Sequence, residues 1–429
     1  MPDEDHEPLQ RDRTPLVSVL SATGFAWFGN VLSLVVVPWL VYQVTGSGAQ
    51  TGIVGFAAAF PLVLAGLFGG VLIDRVGHAR TAVLAELFSG LFLAMIPILH
   101  LTVGLNVLSI GVLVFVSNLF SAPGMTARRT LIPEVAPRAG MSLERANSLE
   151  QMMTRIPLLL GPAIAGSLMA VFHPANVIWL AVVAVWLAGL SISVGVRVTE
   201  VSRPAEQRSY LAELVDGFRF VMRDRLIRAL AFILAFTNLL EAPLSIVMPI
   251  YAQDVLGSPV ALGVIMAALG IGLVLGVGIF AWVGSRVPRR VVFIGGLCGI
   301  GGSYWILATL PGLWATATVL FALGLMAGPV NPLLATIYQE RVPAAMRGRV
   351  FGLLAAIGLS MMPLGRLLGG VFIDWIGLSG TLLVQAAGFA AAGVIMVLLP
   401  ALKLLNERPH KADPNVVTHP VPSGAERSG

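Results

Sequence analysis

The chain has 429 residues, of which 57% are hydrophobic and 11% are charged, and its mean hydropathy is +0.88. Soluble domains carry about 25% charged residues, so this composition excludes a water-soluble globular protein and indicates that lipid surrounds most of the chain. A net charge of +5, taken alone, would fit a nucleic-acid binder. The basic residues, however, lie mostly in the intervals between apolar stretches, as in a membrane protein, so no nucleic-acid partner is expected.

Twelve apolar stretches are each long enough to cross a bilayer core of roughly 30 Å, which takes about 20 helical residues. Because unpaired backbone groups are not tolerated in lipid, each stretch is predicted to be an α-helix. The polar start of the chain does not resemble a cleavable signal peptide, so the first stretch is expected to remain as a helix. We number the predicted spans 1 to 12, at approximately 16–44, 50–73, 80–102, 105–127, 149–172, 176–196, 227–252, 259–284, 290–310, 313–338, 349–374 and 380–402.

One long interval divides the spans into two groups of six. Apolar residues recur in it at helical spacing among charges, which predicts either an amphipathic helix on the inner membrane face or a plain surface linker. These apolar residues are Leu211, Leu214, Val215, Phe218 and Met222. The predicted segments are a tail at 1–15, a six-helix bundle at 16–196, the linker at 197–226, a second six-helix bundle at 227–402 and a tail at 403–429.

The basic residues predict the orientation of the chain. Of the 27 lysine and arginine residues, all except Arg366 fall on one side of the membrane when the N-terminus is placed in the cytoplasm. Basic residues accumulate in cytoplasmic loops. The sequence therefore predicts a multi-pass protein with both termini in the cytoplasm.

The interval between spans 2 and 3, GGVLIDRVGHAR at 69–80, carries a recognisable motif. It is similar to the signature of the Major Facilitator Superfamily, except that His78 stands where the family usually has a basic Arg or Lys. The matching residues are Gly70, Asp74, Arg75, Gly77 and Arg80.

The resemblance implies that this motif forms an inner gate. Asp74 would then face the positive N-terminus of span 11, near Arg349, while Arg75 and Arg80 pair across the two halves. Glu86 in span 3 and Arg349 at the start of span 11 are assigned to the same inner gate. The alternative is a positively charged turn with no gating role.

Span 5 carries Gly161, Pro162 and Gly166, which resemble the antiporter motif of drug exporters in the superfamily. Pro157 stands where that motif has an additional glycine, and this departure weakens the inference of antiport. An ordinary proline kink is the structural alternative.

Residues 120–151 and 338–352 resemble the macrolide- and enterobactin-exporter branch of the superfamily, and the first stretch is most similar to actinobacterial multidrug efflux proteins. The resemblance covers about 15–400. It implies an all-α major facilitator fold of two six-helix bundles, located in the bacterial inner membrane. It also implies that the protein exports drugs by alternating access and proton antiport. Export or import of a metabolite such as a siderophore is the alternative function, and a receptor or scaffold is a third.

The resemblance places spans 1, 4, 7 and 10 around a central cavity, and a deep asparagine occurs in each of them. Such residues either line a cavity or hold helices together. Aromatic and hydroxyl residues accompany them, with Arg366 from span 11. The predicted substrate-cavity residues are Trp27, Asn30, Ser33, Asn118, Thr237, Asn238, Asn331 and Arg366.

Glu241 is the only acid near the middle of a span, and a carboxyl at that depth can take up and release a proton. It is predicted to couple transport to protons or to bind a cationic substrate. The alternative is a permanent pair with Arg366, which otherwise binds an anionic substrate group. Span 1 contains no acid, so facilitated diffusion or another ion is an alternative to proton coupling.

Enzyme motifs are missing from the sequence, which contains neither a phosphate-binding loop nor histidines at zinc spacing. We therefore expect a transporter driven by gradients rather than an enzyme, without cofactor or metal. The expected partners are a small-molecule substrate, protons and membrane lipid, and the expected state is a monomer.

Overall fold

The computed structural model describes residues 12–196, 210–284, 286–343, 346–399 and 405, and every regular element in these ranges is helical. Parts of the predicted tails and linker, including residues 1–11 and 197–209, lie outside the described residues. The all-α prediction is confirmed for the part of the chain that the structure describes.

The first six spans are six separate helices. They are α1 (Thr14–Thr45), α2 (Gly48–Val76), α3 (His78–Thr102), α4 (Val107–Val135), α5 (Leu143–Met169) and α6 (Pro174–Gly195). The helices α4 and α5 extend further at their charged ends than predicted, because a helix need not stop where its side chains leave the apolar core. Ser142 caps α5 there by accepting a hydrogen bond from the amide of Arg145.

The linker forms a short helix and the remaining spans follow it. These helices are α7 (Tyr210–Arg223), α8 (Arg225–Glu241), α9 (Leu244–Asp254), α10 (Pro259–Val283), α11 (Arg289–Leu307), α12 (Leu313–Ala327), α13 (Val330–Arg341) and α14 (Arg347–Leu398). Span 7 is divided into α8 and α9 next to Pro243, and span 10 into α12 and α13 next to Pro329. Proline has no amide proton to continue the hydrogen bonding of a helix, so both positions are weak points of their spans.

The helix α14 contains two spans. Its 52 residues would extend about 78 Å at 1.5 Å per residue, far more than one bilayer core. Gly377 interrupts it with φ 75° and ψ 173°, a conformation open to glycine. Over the described residues, α14 therefore crosses twice and ten further membrane-length segments cross once each. Together they make the twelve crossings that the sequence predicted.

The packing of the helices separates a first half, α1–α6, from a second half, α8–α14. Within the halves, α1 packs on α6 and α10 on α12, whereas the main contacts between halves are α2 with α14 and α5 with α10. We call the end at which α1 begins and α14 ends the proximal end. The opposite end, which contains the α1–α2 turn and Gly377, is the distal end.

Large aromatic side chains near the helix ends point away from the protein. Trp282, Trp314 and Trp375 are 76%, 76% and 79% exposed. Tryptophan is enriched at the two interfaces between membrane and water. Their positions fit a bundle immersed in a bilayer.

Candidate functional site

A cavity of about 260 Å³ lies between the two halves. Most of its wall comes from α1, α2 and α4, and the second half contributes residues from α9 and α14. Five of the predicted substrate-cavity residues line it together. They are Trp27, Asn30, Ser33, Asn118 and Arg366.

The other three predicted cavity residues are not in its lining. Thr237 donates a hydrogen bond to the carbonyl of Ile233 at 2.9 Å, and the Asn238 amide donates to the carbonyl of Leu234 at 2.8 Å. Both side chains are thus engaged with their own helix. Asn331 is exposed in α13, and a role in substrate binding stays a prediction for all three.

Sequence reasoning missed several hydroxyl groups of the cavity wall. Ser89 and Ser117 join α3 to α4 through a 3.0 Å hydrogen bond between their hydroxyl groups, and Ser121 and Ser245 also line the cavity. The sequence of span 4 could have indicated two of them, because Ser117 and Ser121 are spaced to share the helical face next to Asn118.

Glu241 is the last residue of α8, and its side chain is exposed. Over the described residues, the structure records neither an ion pair nor a hydrogen bond for its carboxylate. Its predicted alternative partner, Arg366, lies in the cavity wall and does not pair with it. Ser245, four residues further along span 7, does line the cavity.

Glu86 is paired inside the first half. Its carboxylate forms an ion pair with Arg128 of α4, and the two side chains are 0% and 2% exposed. Arg128 lies beyond the predicted end of span 4, which is why the sequence did not suggest this partner. A gating role for Glu86 stays a prediction, and the pair links α3 to α4 within one bundle.

The remaining inner-gate residues are only partly described. Gly70, Asp74 and Arg75 lie outside the part whose side chains the structure describes. Gly77 has φ 91° in the turn before α3, and Arg80 is exposed there. The gating roles of these residues therefore stay predictions.

The helix α7 packs against the start of α14. A Cβ atom placed on Gly217 would lie 3.2 Å from the carbonyl oxygen of Arg349, so the two backbones are close. Of its predicted apolar positions, Val215, Phe218 and Met222 are exposed, and Leu211 and Leu214 lie outside the described side chains. An exposed apolar face fits the predicted contact with the membrane surface.

The predicted antiporter motif lies at a close contact between the halves. Gly161, Pro162 and Gly166 are all buried in α5. A Cβ on Gly166 would lie 2.4 Å from the carbonyl oxygen of Pro259 and 2.9 Å from the amide of Gly263. Only glycine at position 166 allows α5 and α10 to approach this closely.

The distal end is closed by a carboxylate that bridges the halves. Asp374 of α14 accepts hydrogen bonds from the Ser47 hydroxyl at 2.6 Å, the Gly48 amide at 2.6 Å and the Ala49 amide at 3.0 Å. The donors belong to the start of α2, so Asp374 caps a helix of the other half. We call these four residues the distal latch.

Two further bonds join α1 to α9 at the same end. Tyr42 donates to a carboxylate oxygen of Asp254 at 2.6 Å, and Gln253 donates to the carbonyl of Trp39 at 3.0 Å. Among hydrogen bonds between two described residues, all those that cross the halves lie at the distal end. The cavity therefore lies beneath a closed distal face.

A stacked histidine pair marks the distal end of the first half. The rings of His100 and His173 lie 4.2 Å apart. Burial, with a smaller effect of His100, lowers the pKa of His173 below its usual value. Over the described residues, no cluster of histidine, cysteine, aspartate or glutamate converges to hold a metal ion.

Comparison with known proteins gives consistent matches over nearly the whole chain. The sequence profile of the Major Facilitator Superfamily matches residues 19–365 and 244–424. The multidrug efflux pump Tap of Mycolicibacterium fortuitum is 33% identical over 401 residues, covering 92% of this chain and 98% of Tap. Tap of Mycobacterium tuberculosis strain H37Rv is 33% identical over 93% of this chain and 96% of its own length. Macrolide efflux protein A of Streptococcus pyogenes is 21% identical over 84% of this chain and 93% of its own.

Solved structures confirm the fold. A point mutant of the nucleoside transporter NupG superposes with a TM-score of 0.75 at 12% identity, covering 90% of this chain and 99% of NupG. A point mutant of the peptide transporter POT gives 0.71 at 15% identity over 91% of this chain and 94% of its own. The sequence matches confirm the predicted family and its drug-efflux branch, and the solved structures confirm the twelve-helix fold.

Proposed function

Because this chain belongs to the Major Facilitator Superfamily, we propose that it exports amphipathic drugs across the cytoplasmic membrane by alternating access, in exchange for protons. The observation that carries the proposal is a cavity shared by both halves beneath a closed distal end. Transporters of this type rock their halves about a site near the bilayer midplane. Multidrug pumps that are 33% identical over nearly the full chain support drugs as cargo.

We place the distal end outside the cell. The basic residues of the sequence concentrate at the proximal end, as the positive-inside rule requires of a cytoplasmic face. In this orientation the distal latch would close the outer gate, and the cavity would be reached from the cytoplasm. We propose the monomer as the transporting unit.

Glu241 carries the proton in this proposal. It ends α8 at the interruption of span 7, and the free carbonyl groups of a helix C-terminus favour a cation. Interrupted helices supply ion sites in other transporter folds. Because the described residues provide no counter-ion for Glu241, a proton is the cation that we assign to it.

The test measures drug and proton fluxes in proteoliposomes with an imposed proton gradient. We expect the wild type to couple the two fluxes, and Glu241→Gln to bind drug but lose proton-driven accumulation. Glu144→Gln removes an exposed carboxylate from the proximal end of α5 and is the matched control, with no expected effect. Normal coupling in Glu241→Gln would show that Glu241 is not the proton site.

A panel of dissimilar drugs separates drug export from metabolite transport. Mutual competition among unrelated compounds is expected of a polyspecific exporter. A carrier of one metabolite would instead bind a single class of ligand, and that result would contradict the proposed drug export.

A further inference from the structure

Arg366 places a charged side chain in the wall of the central cavity. Its Nε atom is buried and makes no hydrogen bond, and over the described residues no ion pair involves its guanidinium group. Charges inside a membrane protein are almost always paired or face a functional pathway. Because Glu241 does not pair with it either, the described residues offer Arg366 no structural partner that would explain its presence.

A second unpaired polar group faces the same cavity from the other half. The hydroxyl of Ser33 is buried and makes no hydrogen bond. In the same helix, Thr23 and Thr45 donate to carbonyl groups four residues earlier, at 2.9 Å and 2.8 Å. Ser33 leaves this common local bond unmade, although buried polar groups are nearly always satisfied.

We propose that the cavity binds amphipathic ligands through an acidic group, such as a carboxylate or sulfonate, held by Arg366 with Ser33 as a second donor. The inference rests on the proposed export of amphipathic drugs and narrows their chemical class. A guanidinium group stays charged at physiological pH, and its fork of donors matches two acidic oxygens.

The remainder of the wall suits the apolar body of such a ligand. Trp27, Leu93 and Val114 line the cavity, and its volume of about 260 Å³ is near the lower end of typical ligand pockets, about 300 Å³. A cationic ligand would meet the uncompensated charge of Arg366 there. Neither Glu86, which pairs with Arg128, nor Glu241 is part of the lining. The cavity therefore favours an acid over a base.

The test uses two dyes with the same ring system. The dye 8-anilinonaphthalene-1-sulfonate is an anion, and N-phenyl-1-naphthylamine lacks the sulfonate and is neutral. Binding to the full-length protein in lipid nanodiscs is measured as saturable quenching of Trp27, obtained by subtracting the signal of Trp27→Phe. Arg366→Gln is expected to weaken binding of the anion about 10- to 100-fold, the size of a lost charge-assisted contact. Binding of the neutral dye should change less than about 3-fold.

Two further variants separate charge from structure. Arg366→Lys keeps the charge and should recover part of the affinity for the anion, and Ser33→Ala should reduce that affinity by up to about 10-fold. Equal losses for both dyes in Arg366→Gln would show that Arg366 only maintains the cavity. Unchanged affinities, or no advantage of Lys over Gln, would refute the anion site.

Transport of a neutral drug distinguishes this inference from the proposed function. If proteoliposomes export a neutral drug while the sulfonate dye binds independently of Arg366, drug export stands and the acidic substrate class is wrong. If the dye binding depends on Arg366 but no drug is exported, the site stands and the transport proposal fails.

Discussion

Removal of the Asp374 carboxylate is expected to open the distal end of the transporter more often. The carboxylate accepts three hydrogen bonds of 2.6 to 3.0 Å from the start of α2. Loss of a helix N-cap costs about 0.5–2 kcal/mol, and loss of a negative charge at a helix N-terminus costs about 0.3–1 kcal/mol. Because Asp374 is exposed, we take about 1–2 kcal/mol for the whole latch, which corresponds to about a 5- to 30-fold shift toward the open distal face.

Cysteine labelling from outside the cell measures this shift. The chain contains a single cysteine, Cys298, so a Cys298→Ser background is readily made. Ala58 lines the central cavity, and Ala58→Cys then reports access to it. A membrane-impermeant maleimide added to intact cells should react about 5 to 30 times faster in Asp374→Ala than in the parent. Asp374→Asn, which can still cap a helix, should show a smaller increase.

Asp224 provides a matched control for the same experiment. Its carboxylate caps α8 by accepting bonds of 2.8 Å from Leu226 and 3.0 Å from Ile227, within one half and at the proximal end. Asp224→Ala should lower thermal stability without changing the labelling rate. An unchanged rate in Asp374→Ala, or an equal increase in Asp224→Ala, would refute the assignment of the distal latch.

Three further predictions follow from contacts within and between the halves. Gly166→Ala places a methyl group against the Pro259 carbonyl, so it should hold the distal end open and raise the same labelling rate; an unchanged rate would contradict this. Glu86→Gln leaves the Arg128 charge buried and should lower stability by about 3–5 kcal/mol, which is measurable as a lower melting temperature; an unchanged melting temperature would contradict the pairing. Because the pKa of His173 is lowered, the unfolded chain binds more protons, so stability should fall as pH drops through about 6.5, and His173→Asn should remove that dependence.

The sequence predicted the fold well because its main signals are strong and additive. Twelve apolar stretches and one-sided basic residues each constrain the topology, and a wrong number of spans would have disturbed both. The interruptions next to Pro243 and Pro329 were not predicted, although each contains a proline. A proline in a membrane helix often produces only a kink, so the break depends on packing that the sequence does not display.

The candidate site was predicted only in part. Five of the predicted cavity residues, including Asn30 and Arg366, line one cavity. The sequence indicated most of them because polar groups buried in lipid are rare enough to be informative. Asn238 is also a deep asparagine, but its side chain bonds to its own helix. The sequence does not distinguish an asparagine that lines a cavity from one that bonds within its helix.

The distal latch was missed because Asp374 lies near a predicted span end, where an acid is unremarkable. A comparison of the two halves was the available clue. Asp74 near the end of α2 is predicted to face the start of span 11, and Asp374 near the end of span 11 caps the start of α2. The two antiparallel helices thus carry an aspartate at each C-terminal end.

The break at Gly377 has a consequence for the proposed opening of the distal end. Spans 11 and 12 are joined through this one residue of left-handed backbone, three positions after the latch carboxylate, so the connection has no spare length. Withdrawal of Asp374 from α2 therefore cannot be absorbed by a flexible loop and must displace span 12 together with span 11. In the proposed cycle, opening of the distal latch would therefore be carried by both spans, as two helices joined at a single residue.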